Sequence, residues 1–223
     1  MTLLDVTLDE LERDALTELV NIGVSRAAAS LRKMVDKQVL LSVPSVEVVS
    51  PSAAAALMGQ QESDDLVAVR QEFAGSFSGQ ALLIFPEDNS LELVRAVVGE
   101  ELDAAEVASL KDEALAETGN VILNGCLGTI VNMLNQSLQM SLPKVLYGDG
   151  KALFDVGDNP GDDGLVLFLY INFSIRDRNI RGYIAMMMDL PSLAVLKTLL
   201  GDFIVKVTAD INWAAGAALT SER

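Results

Sequence analysis

Asp14-Ala15-Leu16-Thr17-Glu18-Leu19-Val20-Asn21 and Glu113-Ala114-Leu115-Ala116-Glu117-Thr118-Gly119-Asn120 are two versions of one pattern, displaced by 99 residues at every acidic and Asn position. In each copy the polar residues stand at i, i+4 and i+7. An α-helix turns about 100° per residue, so these positions fall within about 60° of one another and form a single polar stripe on an otherwise apolar helix. Counting on 23 residues from each Asn reaches Pro44 and Pro143, so the proline keeps the same displacement. The duplication decides the fold before any local detail does.

Working outward, residues 8–36 and 106–140 read as long Ala/Leu-rich helices with apolar residues at three- and four-residue intervals. Each is followed by a β-branched or alternating segment, Leu40 to Val49 with Pro44 and Leu142 to Tyr147 with Pro143. Proline there places the segment at a sheet edge or a strand end. A strand pair comes next in each half: Leu66 to Ala74 with Gln80 to Phe85, and Leu165 to Ile175 with Arg181 to Met188. The turns between them are Gly75-Ser76-Phe77-Ser78-Gly79 and Arg176-Asp177-Arg178-Asn179. Shorter helices close both halves, with Ser90 and Gly99 bracketing one as caps and Ser192 and Gly201 bracketing the other.

The fold class expected is therefore α+β. It would be a single pseudo-twofold domain over residues 1–223, built from two helix-strand-helix-hairpin-helix repeats (about 8–100 and about 101–204) and a C-terminal extension of about 205–223. The hairpins would share a mainly antiparallel central sheet with the long helices packed on it. The extension has no counterpart in the first half and reads as a last strand and a short helix.

Composition removes whole classes of chemistry. The chain has no His and one Cys, which excludes a histidine base, an imidazole-held metal and an intramolecular disulfide. With 16 Lys+Arg against 32 Asp+Glu, the formal charge of −16 opposes nucleic-acid binding and favours a cationic protein surface as partner. The longest apolar runs, such as Leu165 to Ile171, are too short to span a bilayer, so no membrane insertion is expected. Nothing at Met1-Thr2-Leu3-Leu4-Asp5 reads as a secretory signal, and the expected location is cytoplasmic.

The doubled acidic-x3-Glu-x2-Asn pattern with its downstream proline resembles the CheC/CheX/FliY family of response-regulator phosphatases, and the two copies point to its CheC type. The second copy opens on Glu113, where the family has Asp or Ser. The resemblance implies a phosphatase that hydrolyses the aspartyl phosphate of phosphorylated CheY-like response regulators in chemotaxis. Its implied catalytic residues are Glu18, Asn21, Glu117 and Asn120, supported by Asp14, Glu113, Pro44 and Pro143. An acyl phosphate needs a water held in line more than it needs a strong base, and an Asn amide can both donate to and accept from that water. The Glu would pair with a partner lysine. No cofactor or metal of its own is implied, since the Mg²⁺ would sit on the response regulator.

A competing expectation is a non-enzymatic adaptor that binds the receptor deamidase CheD or a flagellar switch component. The sequence shows no additional switch-binding domain of the FliY kind, which weighs against the latter. Lone surface helices also carry Glu and Asn at i and i+3 as a solvated face; the duplication is what lifts the motif above that reading. Elsewhere, Cys126 reads as a small buried hydrophobe, Glu62-Ser63-Asp64-Asp65 as a solvated loop and Met186-Met187-Met188 as core filling. Asp155, Asp158, Asp162 and Asp163 lack calcium-loop spacing, and Gly119, Gly125 and Gly128 lie within a helix, unlike a dinucleotide fingerprint.

Overall fold

A computed structural model describes residues 7–35, 38–43, 46–62, 65–99, 101–155, 164–175 and 178–221. Pro44, Ser63, Asp64, Arg176, Asp177 and the aspartates at 158, 162 and 163, with the expectations that fall on them, lie outside the described residues.

The first half runs α1 (Glu10–Val35), β1 (Val39–Ser42), β2 (Val46–Val49), α2 (Pro51–Gln61), β3 (Leu66–Gly75), β4 (Gly79–Pro86) and α3 (Glu87–Val98). The second repeats it as α4 (Ala104–Met133), β5 (Leu138–Met140), β6 (Lys144–Gly148), α5 (Gly150–Leu153), β7 (Gly164–Ile175), β8 (Arg178–Asp189) and α6 (Leu190–Ser221). Helices α1 and α4 both start at a reciprocal Asp/Glu cap. The Asp9 carboxylate accepts from Glu12 N while the Glu12 carboxylate accepts from Asp9 N, and Asp103 and Glu106 do the same.

The eight strands form one sheet in the order β1-β7-β8-β4-β3-β5, with β2 also beside β7 and β6 beside β3. Every pairing among the described residues is antiparallel. The hairpins β3–β4 and β7–β8 meet along β4 and β8, where Leu82 faces Ala185. The edges are exchanged: β1 and β2 of the first half pair with β7 of the second, and β5 and β6 of the second pair with β3 of the first. Neither half can complete its share of the sheet alone.

Alternation along the strands sends successive side chains to two cores. Val67, Val69, Phe73, Leu83, Phe85, Leu167 and Ile184 meet α1, α3, α4 and α6. Leu66, Ala68, Leu82, Ile84, Phe168 and Tyr183 meet the short helices α2 and α5. Met186 and Met188 enter the first core and Met187 packs against the second, as core filling requires. Where α1 and α4 cross, a Cβ on Gly23 would lie 2.8 Å from Cys126 Cα and one on Gly125 would lie 2.9 Å from Ala27 Cβ. Only glycine admits so close an approach.

Several local expectations need correction. The first proline segment is two short strands, β1 and β2, rather than one, whereas in the second only β6 falls within Leu142 to Tyr147 and β5 precedes it in residues expected to be helix. α4 stops at Met133, not near residue 140. Asn135 takes a left-handed φ of 54°, and Gln136 N and Asn135 N donate back to Val131 O and Asn132 O, which closes the helix end. Ser90 lies inside α3 and bonds Glu87 O, while the N-terminal carboxylate of α6 is Asp189, which accepts from Ser192 N. Gly99 does end α3 at φ 109°, but Gly201 sits inside α6, which continues to Ser221 with no strand. Glu62 is no solvated residue: its side chain is 5% exposed, accepts from the Tyr183 hydroxyl at 2.6 Å and lies 3.5 Å from an Arg181 nitrogen. Finally, against the expectation that no apolar run is long enough to span a bilayer, α4 is by length and composition apolar enough to do so; 61% of its apolar window is buried inside the protein.

Candidate functional site

The two polar stripes are arranged alike. Asp14 and Glu18 on α1 are exposed and Asn21 is half-buried; Glu113 and Glu117 on α4 are exposed and Asn120 is half-buried. Leu16, Leu19 and Val20 face the core beside the first stripe, and Ala114, Leu115 and Thr118 beside the second. Each carboxylate therefore stays in water while its Asn reaches in toward the sheet.

Each Asn is tied to the strand break that precedes the proline, and this gives the sequence spacing a physical meaning. Val43, next to Pro44, donates its N–H to Asn21 Oδ1 at 2.9 Å, and its carbonyl accepts from Asn21 Nδ2 at 3.0 Å. Because Val43 is buried, at 2% exposed, these bonds satisfy peptide groups that the interrupted ladder leaves open. They also fix the amide orientation, since only Oδ1 can face an N–H.

The second site makes the same link indirectly. Ser141 is clamped to β3, its N donating to Glu72 O and its Oγ accepting from Glu72 N. Its carbonyl accepts from Gln71 Nε2 at 2.8 Å, and the same Nε2 donates to Asn120 Oδ1 at 3.1 Å. Asn124, one turn along α4, also donates to that oxygen at 2.5 Å. Leu142, the counterpart of Val43, is turned out and 84% exposed. The two sites thus stand at opposite edges of the sheet, one beside β1 and β2 and the other beside β5 and β6, and differ in how their amides are held. Gly119 presses α4 onto β3, where a Cβ would meet Val69 Cγ1 at 2.5 Å. The equivalent residue in the first half is Val20.

Gln71 and Ser141 were not singled out from the sequence. The available signal was Arg70-Gln71-Glu72, a polar triplet inside an otherwise apolar strand. Cys126 is fully buried, and desolvation pushes its thiol up to about 12, which keeps it a protonated, small apolar packing residue. Among the described residues no cluster of acidic and Cys side chains could hold a metal ion.

A family model described as "CheC-like family" matches residues 11–48, which include the first Glu-Asn pair and Pro44, and one described as "Chemotaxis phosphatase CheX" matches residues 67–160, which include the second pair and Pro143. The two models fall one on each half, and the chain is similar to the CheC/CheX/FliY family across both. It is 20% identical over 201 residues to the CheY-P phosphatase CheC of Bacillus subtilis, covering 87% of this chain and 96% of that one. It is 23% identical over 158 residues to the flagellar motor switch phosphatase FliY of the same organism, covering 70% of this chain. The chain spans 39% of the length of that FliY. Among solved structures, Thermotoga maritima FliY superimposes with a TM-score of 0.68 at 17% identity, covering 88% of this chain and 99% of that one. The FliM middle domain from H. pylori superimposes with a TM-score of 0.56 at 9% identity, covering 86% and 99%. The α+β fold is thus shared with FliY and with a FliM middle domain, and the fold alone does not select an activity.

Proposed function

We propose that this protein hydrolyses the aspartyl phosphate of a CheY-type response regulator. The observation that carries the reading is the paired arrangement of exposed Glu and half-buried Asn, on the same helix positions in both halves. The names of its curated relatives, CheY-P phosphatase CheC and flagellar motor switch phosphatase FliY, agree with it.

In this reading the electrophile and its Mg²⁺ arrive on the partner, so the chain needs no histidine and no metal ligands. Glu18 and Glu117 stand in water, free to pair with a cationic side chain of the regulator and so align the helix. Asn21 and Asn120 then meet the phosphoryl group or its attacking water, contributing orientation rather than proton abstraction. Water adds to phosphorus as the acyl oxygen leaves, giving free aspartate and inorganic phosphate. The amide's part is narrower than residue chemistry alone implies. Asn120 Oδ1 already accepts two hydrogen bonds, and its Nδ2 has no partner among the described residues. That amide therefore acts as a donor, to the water or to a phosphoryl oxygen.

Purified protein mixed with phosphorylated regulator and Mg²⁺ should release phosphate faster than the regulator does alone, and Asn21→Ala with Asn120→Ala should abolish the gain. A folded double variant that retains full stimulation would sink the proposal.

A further inference from the structure

We infer that Gln71 is a positioning residue for Asn120, so that the second site is oriented by a side chain from the first half of the chain; the inference deepens the phosphatase reading and rests on it for its kinetic consequence. Gln71 is 1% exposed in a strand whose neighbours on that face, Val67, Val69 and Phe73, are apolar core. Its Nε2 bridges two acceptors, Ser141 O at 2.8 Å and Asn120 Oδ1 at 3.1 Å. A backbone carbonyl can only accept, so Ser141 O determines which end of the Gln71 amide points toward α4. That NH₂ in turn holds Asn120 Oδ1, and Nδ2, without a partner among the described residues, is the group left for a partner. The Oε1 of Gln71 is buried with no hydrogen-bond partner. Such an orphan is unfavourable for folding. Its retention is understandable if the other end of the amide is needed.

Among the described residues the first site shows no such device. There the orientation comes directly from the Val43 peptide, whose N–H and C=O both bind Asn21. The two amides are thus held by different partners, and only that of Asn120 depends on Gln71.

The dependence is testable because each site can be isolated. Gln71→Leu keeps a similar volume and removes both the bridge and the orphaned oxygen. In an Asn21→Ala background, where the second site acts alone, Gln71→Leu should lower kcat for phosphate release about 5- to 10-fold, as expected for the loss of about one neutral hydrogen bond, with KM within about twofold. In an Asn120→Ala background the same change should leave the rate within about twofold, and the melting temperature should hold or rise. The side-chain ¹⁵N–¹H₂ signals of Asn120 should shift on Gln71→Leu while those of Asn21 stay in place, a readout that needs no activity. Equal losses at both sites with a lowered melting temperature would show a general structural role and overturn the inference. So would an Asn120 amide signal that does not move, or an Asn21→Ala protein with no activity left to position. Absence of stimulation by the unaltered protein would instead refute the phosphatase reading, and the amide signals would still decide the placement of Gln71.

Discussion

The two asparagines occupy equivalent places in the sequence, yet their truncation should have unequal effects on stability. Asn21→Ala removes two hydrogen bonds and strands the N–H and carbonyl of Val43 in a setting that is 2% exposed. An ordinary hydrogen bond contributes about 1 kcal/mol net, and a buried peptide group left unpaired costs about 1–3 kcal/mol. Part of the loss is recovered if water reaches the gap, so about 2–3 kcal/mol is expected. Asn120→Ala also removes two bonds, but Gln71 Nε2 keeps Ser141 O as acceptor and Asn124 is only half-buried, which brings the expected loss to about 1 kcal/mol. For a chain of this size each kcal/mol moves the melting temperature by about 2–4 °C. Thermal and urea unfolding of the two variants beside the unaltered protein should show a fall of about 5–10 °C for Asn21→Ala and about 2–4 °C for Asn120→Ala. Equal shifts, or a larger one for Asn120→Ala, would refute the reasoning that the Val43 peptide depends on Asn21. The comparison also guards the activity test, since it separates loss of an amide from loss of fold.

Other consequences are simpler to state. Gly119→Ala gains about 1 kcal/mol of helix propensity but drives a methyl to within 2.5–2.8 Å of Val69, so a net loss of about 1–3 kcal/mol is expected, together with a weakened second site as α4 lifts from Gln71; an unchanged melting temperature would show that the contact relaxes freely. Cys126 should resist thiol reagents in the native protein and react at once in denaturant, because burial both blocks access and pushes its thiol up to about 12. Asp189 is held below the usual carboxylate range by the Ser192 hydroxyl and then by its backbone N–H. Its stabilising effect is therefore present above the unfolded value of about 3.9 and lost as pH falls through the folded one, so the deficit of Asp189→Asn in urea unfolding at pH 6 should close as the pH drops below about 4. Asp103→Ala, which removes the reciprocal cap of α4, should cost about 1 kcal/mol by the same measurement.

The large elements were legible because their signals are local and periodic. Leu16, Leu19, Val20 and Leu31 mark the buried face of α1 by spacing alone, and the alternation in β3 and β8 marks both faces of the sheet. Element ends were less legible, since they depend on which groups are left to bond. The serine at the start of each closing helix matches a cap by residue type, but Ser90 bonds Glu87 O within α3 and Ser192 Oγ accepts from Ser78 N in a distant turn. Gly201 passes as a helix stop until the chain beyond it is seen to continue as α6. Buried Glu62 escaped for the same reason, its partner Tyr183 being 121 residues away.

By itself, the sequence determined the twofold repeat, the placement of an acidic stripe and an Asn on each long helix, and the proline in register behind them, because equal spacing on a helix means an equal face. Only the tertiary structure decided that the edge strands are exchanged between the halves, and with them the surroundings of each Asn. Antiparallel pairing joins residues far apart in the chain, so Asn21 meets the strand break of its own half while Asn120 meets Gln71 from the other. Two copies of one motif are thereby held in place by different chemistry, which no spacing along the chain records.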